Sequence, residues 1–254
     1  MQGLAGLSER FNTLASAFES NPLLAGERDR EQVCRVVKPG PRETGLDLAC
    51  GPGHLAVELA AAGGRVLAVD ISEEMLKLCA HRSSEAGQKN LTIALQDAHQ
   101  MEFRDDMFNW VVCRFGFRWF HTPRKVLAEL FRITRPGGRV YLSEWVPDLP
   151  GGDVLPLEFL LRELDPTQQE LAGRALWERL ALEAGFRCGQ NLVRPERLDP
   201  IQIGALSGLE EEEALACFDT WRQGPGSAPQ CRYLVLDGRE VLLAQRMDLL
   251  LLKS

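Results

Sequence analysis

Leu46-Asp47-Leu48-Ala49-Cys50-Gly51-Pro52-Gly53 joins a short apolar strand to a glycine turn, with a carboxylate ahead of the glycines. Glycines at such a turn let the backbone approach a ligand, and the helix that follows offers unpaired N–H groups and a partial positive charge. The arrangement suits a nucleoside-bearing cofactor. Gly51-Pro52-Gly53-His54-Leu55-Ala56 also satisfies the G-x-G-x-x-G/A fingerprint of dinucleotide binders, so the turn alone leaves the cofactor open.

Outward from this stretch, strands and helices alternate. Residues 45–49 read as a strand, 55–62 as a helix, 65–69 as a strand, 73–83 as a helix, and 91–95 and 108–113 as strands. Pro123 suits the first turn of a helix running to Ile133, Pro136-Gly137-Gly138 stops it, and 139–143 forms the next strand. Strand-then-helix units in this order imply an α/β fold with a doubly wound, mostly parallel sheet and right-handed crossovers. Ligands then lie beyond the carboxyl ends of the strands, where Gly51, Asp70, Asp97 and Arg114 should fall.

Before this core, residues 1–38 read as a polar helical segment ended by Pro39-Gly40-Pro41. After it, 177–185 reads as a helix and 187–193 as a strand. The apolar stretch 241–252 fits a strand or a terminal helix, with strand preferred. Residues 194–240, with acidic helical composition at Glu210–Phe218 and a Gly224-Pro225-Gly226-Ser227 break, look like an inserted cap. The chain is thus expected to be one domain: helical 1–38, cofactor-binding core 39–145, and sheet completion with cap 146–254.

Composition narrows the partners. A formal net charge of -7 argues against a broad basic surface, so nucleic acid is not the expected partner. The seven cysteines are odd in number, scattered and never in C-x-x-C spacing, which suggests reduced thiols in a cytoplasmic protein and neither a disulfide framework nor a metal site. No stretch reaches a membrane-spanning length of apolar residues, and no export signal opens the chain.

The rim carboxylates carry the chemistry. Asp70 ends the second strand seventeen residues after Gly53, near the spacing at which a carboxylate accepts both ribose hydroxyls. Ser72 already fits the following helix as its N-cap, with Glu73 and Glu74 in the first turn, which leaves Asp70 for a ligand. Asp97, in Gln96-Asp97-Ala98, can accept from an amino group on a purine. Asp47 lies four residues before Gly51, where it would repel a pyrophosphate but suit an ammonium.

Leu46–Gly53, Val66–Leu76, Gln96-Asp97-Ala98 and Glu129–Val140, in this order and spacing, resemble the class I S-adenosylmethionine-dependent methyltransferases. The likeness spans roughly residues 43–145 and is greatest to the small-molecule branch that includes the ubiquinone and menaquinone C-methyltransferases. It implies a Rossmann-like methyltransferase fold with a seven-stranded sheet, S-adenosylmethionine as cofactor, and methyl transfer to a small-molecule acceptor. It also implies residue roles: Asp47, Gly51 and Gly53 hold the methionine portion, with the backbone of Arg114 at its amino group and Ala49 also among the cofactor-binding residues. Asp70 takes the ribose, Ile71 and Met75 the adenine faces, and Asp97 and Ala98 the adenine edge.

The likeness has departures. Family members often carry a histidine pair after the fourth strand, in a segment like S-F-A-L-H-H; the corresponding run here is Arg114-Phe115-Gly116-Phe117-Arg118-Trp119-Phe120. The acidic residue often found before the fourth strand is Asn109 here. No histidine base carries over, and the nearest imidazole in sequence, His121, is the weak catalytic candidate. Phe115, Phe117 and Trp119, with Phe18 from the N-terminal segment, are expected to line a dry aromatic substrate pocket, although alternation along a strand end would leave about half of the aromatic run in the core. Arg10, Phe11, Leu14 and Phe18, together with the cap, are expected to close over it. Two other classes are consistent with parts of the sequence: a non-catalytic subunit that binds the cofactor or its demethylated product, and an NAD(P)-dependent oxidoreductase, which Asp47 disfavours. The acceptor atom and oligomeric state are not legible.

Overall fold

The computed structural model describes residues 4–146, 173–224, 233–236 and 239–254. Three helices open the chain: α1 (Leu4–Ser20), α2 (Pro22–Ala25) and α3 (Glu27–Val37). Then come β1 (Thr44–Leu48), α4 (His54–Ala61), β2 (Arg65–Asp70), α5 (Glu73–Glu85), β3 (Leu91–Leu95), β4 (Phe108–Arg114), a 3-10 turn (Phe117–Trp119), α6 (Pro123–Ile133) and β5 (Thr134–Val146). The C-terminal part supplies α7 (Arg174–Glu183), β6 (Arg187–Leu198), α8 (Pro200–Ala205), α9 (Glu211–Gln223), β7 (Tyr233–Leu236) and β8 (Arg239–Leu252).

The strands form one sheet in the order β3-β2-β1-β4-β5-β8-β6, with the short β7 pairing with the start of β8. The first five run parallel, while β8 is antiparallel to both β5 and β6. Because successive side chains alternate across a strand, the sheet buries two distinct faces. Leu46, Leu48, Val111 and Leu142 pack with Val126, Leu127, Leu130 and Ile133 of α6 on one side. Val66, Ala68, Trp110 and Val112 pack with Val33, Val37, Leu55 and Leu59 on the other. Gly45 is paired with Trp110 across the β1/β4 ladder, and a Cβ there would stand 2.1 Å from the indole, so the ring occupies the space a side chain would need.

Two strands run well beyond their expected bounds, the other expected strands agreeing to within two residues at each end. β5 begins directly at the end of α6, and Pro136-Gly137-Gly138 is absorbed where the β4/β5 register slips between Phe108 and Trp110. β6 runs on to Leu198, so the segment expected to cap the site from residue 194 starts as sheet, and its helices begin only at Pro200. The polar sequence of β6 misled because its charges are paired across the ladder. Arg194 bonds Asp248 at 3.0 Å and Asp29 at 2.8 Å, and Glu196 takes Arg246 at 3.1 Å. Asp29 on α3 also receives Arg114 at 2.6 Å and Arg246, joining the N-terminal helices to the sheet. Pro225-Gly226-Ser227 of the expected break lie outside the described residues.

Candidate cofactor and acceptor site

The carboxyl ends of β1, β2 and β4 and the loop after β3 line an open cavity, with about 980 Å3 of space between atoms when the solvent at its mouth is included. The cavity has an acidic floor and an aromatic wall. Asp47, Asp70 and Asp97 line it, together with Ala49, Gly51, Ile71, Met75, Ala98 and Arg114.

Asp47 is buried, at 2 % exposure, and its Oδ2 has no hydrogen-bond partner among the described residues. Burial pushes its carboxyl up to about 7; the Arg114 guanidinium opposes this and Asp70 adds to it. An orphaned buried carboxylate oxygen is costly unless a ligand satisfies it, and an ammonium does so best. Each oxygen of Asp70 accepts one backbone bond, Oδ2 from Gly51 N at 2.9 Å and Oδ1 from Ser72 N at 3.0 Å, and keeps a further lone pair for a ligand. Ser72 caps α5, its Oγ accepting from Met75 N at 3.2 Å.

Two non-glycine residues lining the cavity are left-handed. Ala49 at the end of β1 has φ 54° and Phe115 at the end of β4 has φ 58°. Conformations of this kind cost energy and concentrate at functional sites. Gly53 (φ 83°) N-caps α4, and a Cβ there would meet Cys79 Sγ at 2.5 Å. It supports the turn from behind and does not line the cavity.

The aromatic wall comes from three sources. Leu7, Phe11 and Phe18 of α1 and Leu24 of α2 line the cavity, and so do Phe115, Trp119 and Phe120 after β4. Phe11 meets Trp119 edge to face at 5.1 Å and Phe18 at 5.8 Å. Arg10 lies 5.9 Å over Trp119 and donates to Ser207 O, while Leu14 abuts Gly208, so α1 contacts the α8–α9 region. No residue of α8 or α9 lines the cavity.

Phe117 is a correction. It was expected at the substrate but lies in the core, its ring 5.0 Å from Phe120 and 5.1 Å from Trp177. The segment is a 3-10 turn with Phe120 extended at its end, so strand alternation does not apply. Three aromatic residues of the run therefore reach the cavity. His121 is exposed and does not line it; the imidazoles that do are His54 and His99.

Those two histidines and Arg118 escaped the sequence reading. His54 follows Gly53 directly, and its Nε2 donates to the Glu19 carbonyl at 2.9 Å. Burial and the nearby Arg82 press its pKa down to about 4. Arg118 is buried against Glu144 (3.4 Å) and over the Trp145 ring (4.3 Å). Burial raises the Glu144 carboxyl and Arg118 restrains it. The usable signal was adjacency: His54 and His99 each lie within two residues of a rim motif.

Carboxylates on neighbouring strand ends beside a glycine turn define an α/β protein built to hold a nucleoside cofactor that carries positive charge. The family described as "Methyltransferase domain" matches residues 46–142. A demethylmenaquinone methyltransferase of Clavibacter sepedonicus is 38 % identical over 149 residues, covering 57 % of this chain and 60 % of that protein. One from Streptomyces avermitilis is 31 % identical over 174 residues, covering 65 % and 72 %. The chain thus spans roughly 60–70 % of the length of these relatives. Among solved structures, a candidate methyltransferase of Bacillus halodurans superposes with a TM-score of 0.78 at 22 % identity, covering 88 % of this chain and 98 % of that one. Phosphoethanolamine N-methyltransferase 2 of Haemonchus contortus, solved with S-adenosylhomocysteine, gives 0.70 at 17 % identity and covers 100 % and 61 %. Both structural likenesses show the fold.

The chain belongs to the class I S-adenosylmethionine-dependent methyltransferases of the quinone-methyltransferase type. Its cofactor is S-adenosylmethionine, and the orphaned Asp47 oxygen fits that molecule's ammonium. Among the described residues, no helix is long and apolar enough to cross a membrane.

Proposed function

We propose that the chain transfers the methyl group of S-adenosylmethionine to a small, apolar, aromatic acceptor held against Phe11, Phe18, Phe115, Trp119 and Phe120. When bound, the cofactor supplies an electrophilic methyl on a sulfonium. The protein binds and orients. Asp47 takes the ammonium, Ala49 and Gly51 flank the methionine chain, and Asp70 accepts from the ribose. Ile71 and Met75 pack on the adenine, while Asp97 and Ala98 meet its edge.

The carrying observation is that the three carboxylates and the aromatic wall share one cavity. Such a site can align an acceptor with the methyl and exclude water, effects worth up to about 7–11 kcal/mol in intramolecular models. The names of the relatives favour a demethylated quinol among possible acceptors. His121, which does not line the cavity, has no part in this reading.

The test is S-adenosylhomocysteine release across a panel of quinols, phenols and amines. Turnover should appear with a quinol or phenol and vanish in Asp47→Asn. Absence of turnover with every panel member, under conditions where the cofactor binds, would overturn the catalytic reading.

A further inference from the structure

Asp97 and His99 form a bonded pair where the loop after β3 lines the cavity. Oδ1 of Asp97 accepts twice from His99, from its backbone N–H at 2.9 Å and from Nδ1 at 2.7 Å. A carboxylate only accepts, so Nδ1 carries the proton. Nε2 then presents a lone pair, and the Thr122 amide faces it at 3.5 Å. The ring is 10 % exposed and meets Phe120 edge to face at 5.8 Å. The imidazole is thereby fixed between the loop after β3 and the N-cap of α6.

The consequence falls on Asp97. With Oδ1 taken twice on the His99 side, the carboxylate is held in one orientation and Oδ2 is left to serve a ligand. We propose that His99 is a positioning residue that sets Asp97 to read the amino edge of the cofactor's purine, making the site selective for a 6-amino over a 6-oxo base. This rests on Asp97 meeting the adenine edge, as proposed above. A 6-amino group donates to a carboxylate; a 6-oxo group presents lone pairs to it and is repelled. Pre-orientation matters because a freely rotating carboxylate must be ordered at the moment of binding, which lowers the net gain.

Calorimetry of the full chain with S-adenosylhomocysteine and S-inosylhomocysteine tests this without any acceptor. The wild type should prefer the adenosyl compound. His99→Phe keeps the ring against Phe120 and the backbone N–H on Oδ1 but removes the side-chain donor; it should lose about tenfold of that preference, the scale of one net hydrogen bond. His99→Asn places an N–H where Nδ1 stood and should stay within about twofold of the wild type. Should His99→Phe fail to fold, His99→Gln, whose donor sits at the Nε2 position, should show the same loss. Full preference in the donor-less variant, or an equal loss in His99→Asn, would overturn the proposal. Asp97→Ala separates the two levels. If it keeps the preference, the reading of Asp97 itself fails; if it loses the preference while His99→Phe does not, only the role of His99 fails.

Discussion

Oδ2 of Asp70 accepts the backbone N–H of Gly51 at 2.9 Å, so the carboxylate that ends the second strand also holds the turn that follows the first. One residue thus shapes the loop and faces the cavity. An amide in its place has a single acceptor oxygen, and one of the two N–H groups of Gly51 and Ser72 loses its partner. Asp70→Asn should lower stability by about 1–3 kcal/mol and weaken S-adenosylmethionine binding by at least about tenfold. Thermal melts with and without cofactor check the two effects separately.

Cofactor affinity should depend on pH through Asp47. Its pKa in the fold is about 7, above the ordinary carboxylate value of 3.8, and an ammonium requires the ionised form. Affinity should therefore rise with pH until about 7 and then level, and Asp47→Asn should remove both the dependence and most of the binding. The effect on stability has the opposite sign. A raised carboxyl stabilises the fold most below 3.8, and that contribution is lost as pH rises through about 7. Without cofactor, Asp47→Asn should melt higher than the wild type at pH 8; an equal or lower melting temperature would count against a buried charge at this position.

His54 should act in the reverse direction over an overlapping range. Its pKa falls from 6.5 to about 4 in the fold, so the neutral ring favours folding above 6.5 and that contribution disappears as pH drops toward 4. His54→Gln should flatten the decline of the melting temperature across this acid window while leaving the neutral range little changed.

The two glycines of the turn should separate fold from binding. Gly53→Ala forces a side chain into a left-handed conformation and onto Cys79, at 2.9 Å from its Cα, and should cost about 2–5 kcal/mol. Gly51 is also left-handed, at φ 53°, but a Cβ there meets nothing within 4 Å. Gly51→Ala should cost only about 1–2 kcal/mol in stability and register mainly as weaker cofactor binding. Chemical denaturation and calorimetry on both variants distinguish these outcomes.

The rim was legible because strand ends carry their meaning locally. Asp47, Gly51 and Asp70 could be placed from a strand, a turn and a spacing, and all three line the cavity. Phe117 could not be placed, because whether an aromatic run continues as strand or coils into a 3-10 turn is decided by Phe115 adopting φ 58°, which no side-chain pattern announces. The extension of β6 was hidden for a different reason. Arg194 and Glu196 look like surface residues until Asp29, Arg246 and Asp248, distant in sequence, arrive beside them. His54 was obscured by the motif that contains it, whose glycines drew the reading to the backbone.

The position of β8 also sets an order of events. β5 and β6 share no ladder; each is hydrogen-bonded to β8, which lies between them and comes last of the described strands. On the ribosome, β5 is therefore an unprotected edge and β6 has no sheet to join until the residues up to Leu252 have emerged. Exposed edges of this kind invite mispairing. Synthesis paused before β8 should leave a nascent chain with a formed cofactor rim and an open flank, the state in which a holdase chaperone would be needed most.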